Sequence, residues 1–174
     1  MVERDSKGLV HIYTGDGKGK TTAALGLAMR AAGQGMKVIF IQFLKGQQCG
    51  EHSFVSKYHP FDIIQIGSGD VFAKTREQLD REAQDTLALA RHEILSGRYN
   101  VVVLDEIFVA INQGHITVNQ VLELMEEKPG SVELVMTGRK APPEIVQRAN
   151  LVTEMLMIKH PFTEGLGARR GIEY

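Results

Sequence analysis

Three glycines at alternate positions, two lysines and two adjacent hydroxyls make Thr14-Gly15-Asp16-Gly17-Lys18-Gly19-Lys20-Thr21-Thr22 the part of the chain best suited to chemistry. Alternate glycines let the backbone turn tightly and aim successive N–H groups at one anion, while Lys20 adds a point charge and Thr21 a hydroxyl able to hold Mg²⁺. Gly15, Asp16, Gly17, Lys18, Gly19, Lys20, Thr21 and Thr22 are therefore the candidate nucleotide-binding residues. The pattern is a variant Walker A: the strict form has glycine where Thr14 stands, and here it is displaced to Gly15. A dinucleotide-binding turn fits worse, because it needs glycine in place of Lys20 and an acid in place of Gln42. A second group is Asp105-Glu106, directly after Val101-Val102-Val103-Leu104. A carboxylate at such a strand end reaches a metal ion or its waters beside the loop threonine, so Thr21, Asp105 and Glu106 are the candidate ligands of Mg²⁺ or Mn²⁺. Taken alone, the acidic pair is a weak signal, because such a pair is often only charge at a helix start. Thr137-Gly138-Arg139 supplies either a cation near a leaving phosphate or a chain turn, and Lys140 is read as solvated.

These groups need a scaffold that brings them to one edge. Leu9 to Tyr13 and Lys37 to Phe43 read as buried strands. Between them Ala23, Leu27, Arg30 and Ala31 follow helical spacing, closed by Gly33 and Gly35. Phe61 to Ile66 is a further strand, and Gln78 to Leu95 sets Leu79, Ala83, Leu87, Ala90 and Ile94 on one helical face. Tyr99 to Leu104 is a strand containing the wholly apolar run Val101 to Leu104, hence buried on both sides of its sheet. Val118, Val121, Leu122 and Met125 mark a short helix that Thr117 can cap. Glu133 to Thr137 and Leu151 to Ile158 are strands around a helix starting at Pro142-Pro143. The alternation predicts an α/β fold with a mainly parallel sheet, helices on both faces and ligands at the carboxyl ends of the strands.

A length of 174 residues suits one nucleotide-binding domain over residues 1–174. Net charge is −1, with 20 basic residues among 21 acidic ones, so no basic face points to nucleic acid. The apolar runs are too short to cross a membrane. Cys49 is the only cysteine, which with the absence of a leader pattern at Met1 to Asp5 fits the cytoplasm. Cys49 reads as an inert thiol in a polar loop. The six histidines show no metal-gathering spacing and read as structural or surface residues. Met155 and Met157 read as core filling.

The loop, Gln42-Phe43-Leu44-Lys45-Gly46, Val103-Leu104-Asp105-Glu106, Thr137-Gly138-Arg139, Lys159-His160-Pro161-Phe162 and Gly171-Ile172-Glu173-Tyr174 together resemble the P-loop ATP:corrinoid adenosyltransferases. The displaced glycine is itself a feature of that family's loop. The resemblance implies a three-layer, RecA-like P-loop fold and a homodimer. It also implies transfer of the adenosyl group of ATP to Co(I) of a corrinoid with release of triphosphate. On that reading Lys20 and Glu106 are the catalytic residues, Thr21 and Glu106 lie near metal or ribose, and Arg30 and Arg139 are available to the nucleotide. A flavoprotein is a candidate electron donor.

One stretch departs from the family pattern. Well-studied members carry a phenylalanine and a tryptophan two residues apart after a glycine, which press on the lower face of the corrin. Here the stretch is Gly69-Asp70-Val71-Phe72, and the chain has no tryptophan. Either Phe72 displaces the axial ligand alone or the substrate is an incomplete corrinoid. The start of the chain near the first strand leads to the expectation that a covering amino-terminal extension is lacking. Two other functions remain open at this stage: a P-loop kinase or ATPase acting at phosphorus, and an ATP-gated corrinoid carrier without turnover.

Overall fold

A computed structural model describes residues 7–174; the stretch Met1 to Asp5, read above for a leader, lies outside the described residues. Six strands, β1 Val10–Thr14, β2 Val38–Gln42, β3 Asp62–Gln65, β4 Val101–Asp105, β5 Glu133–Thr137 and β6 Leu151–Glu154, form one sheet in the order β3-β2-β4-β5-β1-β6. Every neighbouring pair is parallel, so the sheet expected to be mainly parallel is wholly so. The helices are α1 Lys20–Gly33, α2 Gly50–Tyr58, α3 Arg76–Leu95, α4 Ile107–Asn112, α5 Val118–Glu127 and α6 Pro143–Arg148.

The pleat of β4 divides the core in two. Val101 and Val103 face α1, packing with Val38, Phe40 and Val135 against Ala24, Ala28 and Ala31. Val102 and Leu104 face the other way, into a larger cluster with Ala83, Leu87, Ala90 and Ile94 of α3 and Val121 and Leu124 of α5. Strands covered on both sides have no polar face to alternate with, which is why β4 reads as a continuous apolar run. Alanines on the inner stripe of α1 bring that helix close to the sheet, and this closeness carries the loop at its amino end onto the strand tips. Thr117 caps α5 as expected: its side chain accepts from the Gln120 amide while the Gln120 side chain returns to the Thr117 N–H. Thr75 and Gln78 do the same for α3.

Two expected elements differ. The strand read as Leu151 to Ile158 stops at Glu154. Beyond it the backbone leaves the sheet edge to follow the glycine loop, with the Met155 N–H donating to Thr14 O and Met155 O accepting from Gly17 N. Met157 and Ile158 are consequently exposed, Ile158 at 91 %, so Met157 does not fill the core. The polar loop expected around Cys49 is the start of α2, with Cys49 at its N-cap.

Candidate active site

The same pleat that sorts the core builds the site. Val38, Phe40 and Gln42 share one side of β2, Val101, Val103 and Asp105 one side of β4, and Val135 and Thr137 one side of β5. The apolar members of these rows pack on α1, so the polar residue ending each row emerges under the first turn of that helix. Gln42 is paired in register with Asp105. Asp105 is fully buried and accepts from Thr21 Oγ1 at 2.9 Å, Thr137 Oγ1 at 2.7 Å and Gln42 Nε2 at 3.1 Å. A buried carboxylate with three donors is satisfied and fixed in orientation. It ties the loop helix to the middle of the sheet.

The loop itself is held against the segment after β6. A Cβ at Gly17 would stand 2.7 Å from both Met155 O and Leu156 O, so only glycine allows this approach. Lys20, 7 % exposed, lies over the loop with Nζ donating to Gly17 O at 2.7 Å. Burial pulls its pKa below the ordinary lysine value, against the opposing pull of the Glu106 charge. Glu106 holds a left-handed backbone conformation, φ 61°, with its N–H donating to Thr137 Oγ1. Burial, with the neighbouring Asp105 charge added, raises the Glu106 carboxyl pKa. Arg139 reaches Asp16 at 3.8 Å, both largely exposed, so Thr137-Gly138-Arg139 does bring its cation to the loop.

Two cavities meet here. A polar one of about 320 Å³ is lined by Gly17, Lys18, Lys20, Arg139 and His160 among others, and a more apolar one of about 690 Å³ by Leu25, Met29, Phe54, Phe61 and Tyr174 among others. Thr21, Thr22, Glu106, Ile172 and Glu173 line both. The larger cavity also holds Lys45 and Glu51, paired at 2.7 Å. Burial opposes charge on both groups, but their mutual hydrogen bond together with the surrounding charges and hydrogen bonds outweighs it, raising the pKa of Lys45 and lowering that of Glu51. The arrangement is a polar slot carrying Lys18, Lys20 and Arg139 beside Asp16, Glu106 and Glu173, opening into a larger and more apolar space.

Residues 6–174 match the family model described as ATP:corrinoid adenosyltransferase BtuR/CobO/CobP. The chain belongs to that adenosyltransferase family. A corrinoid adenosyltransferase of Sinorhizobium sp is 38 % identical over 98 % of this chain and 82 % of its own length. Those of Pseudomonas aeruginosa and Escherichia coli K12 are 33 % and 30 % identical, over 98 % of this chain and 86 % and 88 % of theirs.

Within this adenosyltransferase fold the other residues singled out from sequence fall in two places. Gly15 to Thr22, Asp105, Glu106 and Arg139 converge at the carboxyl edge of the sheet. Arg30 does not join them: it is exposed in the last turn of α1, about 15 Å along the helix from Lys20 at 1.5 Å per residue, and lines neither cavity. Phe72 sits in a short 3-10 turn, Val71–Ala73, 97 % exposed. That turn is tethered to the same edge, because Gly69 N–H donates to Gly46 O at 3.1 Å, beside Lys45, and a Cβ on Gly46 would overlap Gly69 O.

Sequence reasoning passed over four contributors. His160, read as structural or surface, lines the polar cavity. Gln42 was noted as failing a dinucleotide pattern and as part of the Gln42 to Gly46 motif, without a role, although its place two residues after Phe40 on the same strand face pointed to Asp105. Lys45 stood in that motif without a role and Glu51 gave no signal, since their pairing depends on α2. The Cys49, Glu51 and His52 ligand atoms lie within 4.8 Å of one another, a grouping absent from the histidine spacing. The His52 Nδ1 already accepts from the Cys49 N–H, and burial raises the Cys49 thiol pKa, which disfavours the thiolate.

Proposed function

We propose that the chain transfers the 5′-deoxyadenosyl group of ATP to Co(I) of a corrinoid and releases inorganic triphosphate. Family membership across residues 6–174 supports the reaction class. The observation that carries the mechanism is the junction of a polar slot holding Lys18, Lys20 and Arg139 with a larger, more apolar cavity along Thr21, Thr22 and Glu106. Triphosphate lies in the slot on Gly15 to Thr22, and C5′ of the ribose comes to the junction. Cobalt donates its electron pair to C5′ as the C5′–O bond breaks, and the bonding pair leaves on the triphosphate oxygen. No protein base is required, because the nucleophile carries no proton. What the chain must supply is charge stabilisation of the leaving group, in a buried setting where it is strongest.

Lys20 and the loop N–H groups meet the charge accumulating on triphosphate, with Lys20 exchanging Gly17 O for a phosphate oxygen. Arg139 adds a second cation. The oxygen donors Thr21, Asp105 and Glu106 fit a hard divalent ion, Mg²⁺ or Mn²⁺; burial, with the Asp105 charge added, raises the Glu106 carboxyl pKa, and a cation there would favour its charged form. Bound there, the ion would neutralise polyphosphate charge. Phe72, on the turn tethered through Gly69 to Gly46 beside Lys45, acts on the lower face of the corrin. Arg30, remote from both cavities, serves the nucleotide only through a rearrangement or a partner copy in the homodimer. A flavoprotein electron donor and a cytoplasmic setting complete the reading; among the described residues no helix is long and apolar enough to cross a membrane.

With MgATP, a reductant that generates Co(I) and a corrinoid, the expected products are a light-sensitive cobalt–carbon bond and triphosphate, detected by absorbance and anion-exchange chromatography. ADP and orthophosphate would instead mean attack at phosphorus, and binding without product a carrier. Phe72→Ala is expected to slow adenosylation of complete cobalamin by about tenfold, equivalent to ~1.4 kcal/mol, while affecting cobinamide, which lacks the lower base, much less. Equal slowing of both substrates would remove Phe72 from axial-ligand displacement.

A further inference from the structure

The polar slot is not simply open. The end of the chain folds back across it: Lys18 Nζ donates to Ile172 O at 2.8 Å and to Glu173 Oε1 at 2.9 Å. Arg169 holds the same carboxylate from the far side, its N–H at 2.7 Å from Oε2 and its Nη2 at 3.1 Å from Oε1. Ile172 and Glu173 line both cavities, and Gly171 and Tyr174 line the apolar one. Lys18 stands in the middle of the phosphate loop, so one of the cations needed by a polyphosphate is already occupied by an anion of the chain. Hydrogen bonds from Arg169 and then Lys18 push the Glu173 carboxyl down to about 2, which keeps it charged at any working pH.

Resting on the polyphosphate reading of the slot, we propose that Glu173 is an internal competitor for the phosphate loop, a latch that polyphosphate opens by taking Lys18. Two anions cannot share one ammonium beside a loop of inward N–H groups without strong mutual repulsion. Entry of triphosphate therefore displaces Glu173 and loosens residues 171–174 from the passage between the cavities. The nucleotide thus clears the wall of the acceptor cavity, and binding of the large apolar substrate follows that of ATP. After transfer, Glu173 recaptures Lys18 and helps expel triphosphate.

The test uses the whole chain and inorganic tripolyphosphate with Mg²⁺, titrated by calorimetry. Glu173→Gln removes the charge but keeps the shape, and is expected to bind tripolyphosphate about two- to fivefold tighter, the range of a half-exposed ion pair. Removal of residues 171–174 is expected to tighten it at least as much. In the unaltered protein, tripolyphosphate is expected to speed amide hydrogen exchange in residues 171–174. Equal or weaker binding by both variants, or an exchange rate that tripolyphosphate leaves unchanged, would overturn the latch and make the turn a fixed wall. Failure of the unaltered protein to bind tripolyphosphate at all would instead overturn the polyphosphate reading of the slot.

Discussion

Replacement of Lys20 by alanine is expected to lower kcat for cobalt–carbon bond formation about a hundredfold, the equivalent of ~3 kcal/mol for loss of one preorganised charge at a leaving anion. The expectation follows from where the ammonium sits. Lys20 is 7 % exposed, its tip is already aimed along the loop by Gly17 O, and burial disfavours its charge. A cation that burial disfavours is stabilised as charge develops on triphosphate, which is the condition for lowering a barrier rather than only binding substrate. Folding should not suffer: the substitution removes a desolvated charge and leaves one carbonyl, Gly17 O, to water. The expected pattern is therefore a large fall in kcat at saturating ATP with thermal stability near that of the unaltered protein. Turnover that survives the substitution would remove Lys20 from catalysis. Lys20→Arg is expected to recover little, because a planar guanidinium cannot occupy the space of a compact ammonium under the loop.

Much of this arrangement was legible before any coordinates. The loop, the apolar run before Asp105 and the β-then-α alternation already placed Gly15 to Thr22, Asp105, Glu106 and Arg139 on one sheet edge, and all of them do meet there. Those signals are local: each is a glycine spacing or a strand-length apolar run. Strand pairing is not local, and the residues missed were those whose role depends on it. Gln42 could have been found from parity, because it shares the strand face of Val38 and Phe40, just as Asp105 shares that of Val101 and Val103. Lys45 and Glu51 could not, since α2 has little apolar periodicity to announce it. The overlong β6 has the same origin. Met155 to Ile158 carries the composition of a strand, and only the demand of Thr14 and Gly17 for backbone partners draws it off the sheet. Glu173 lies at the other extreme, over 150 residues from the lysine it holds, where no periodicity reaches.

Asp105 separates structure from chemistry most sharply, through two substitutions with different outcomes. Asp105→Ala removes the shared acceptor of Thr21 Oγ1, Thr137 Oγ1 and Gln42 Nε2, and Thr137 and Gln42 are themselves buried beneath α1. Leaving a buried donor without its acceptor costs about 1–3 kcal/mol per group, at roughly 2–4 °C in Tm per kcal/mol for a chain of this size, and activity should vanish with it. Asp105→Asn keeps the volume and nearly all of the bonds. Its oxygen can face Gln42 Nε2, while its amide donates to the two threonine hydroxyls, which rotate from donor to acceptor. Stability is then expected to fall by less than about 1 kcal/mol. The lost charge cannot be recovered by rotation. Mg²⁺ held with Thr21 and Glu106 should bind more weakly, and turnover at moderate Mg²⁺ should fall on the order of a hundredfold, with partial recovery as the ion is raised. Melting curves and Mg²⁺ titrations of the two variants read these effects independently. If Asp105→Asn melted like the unaltered protein and also turned over normally at low Mg²⁺, Asp105 would be a structural tie alone and the metal would rest on Glu106.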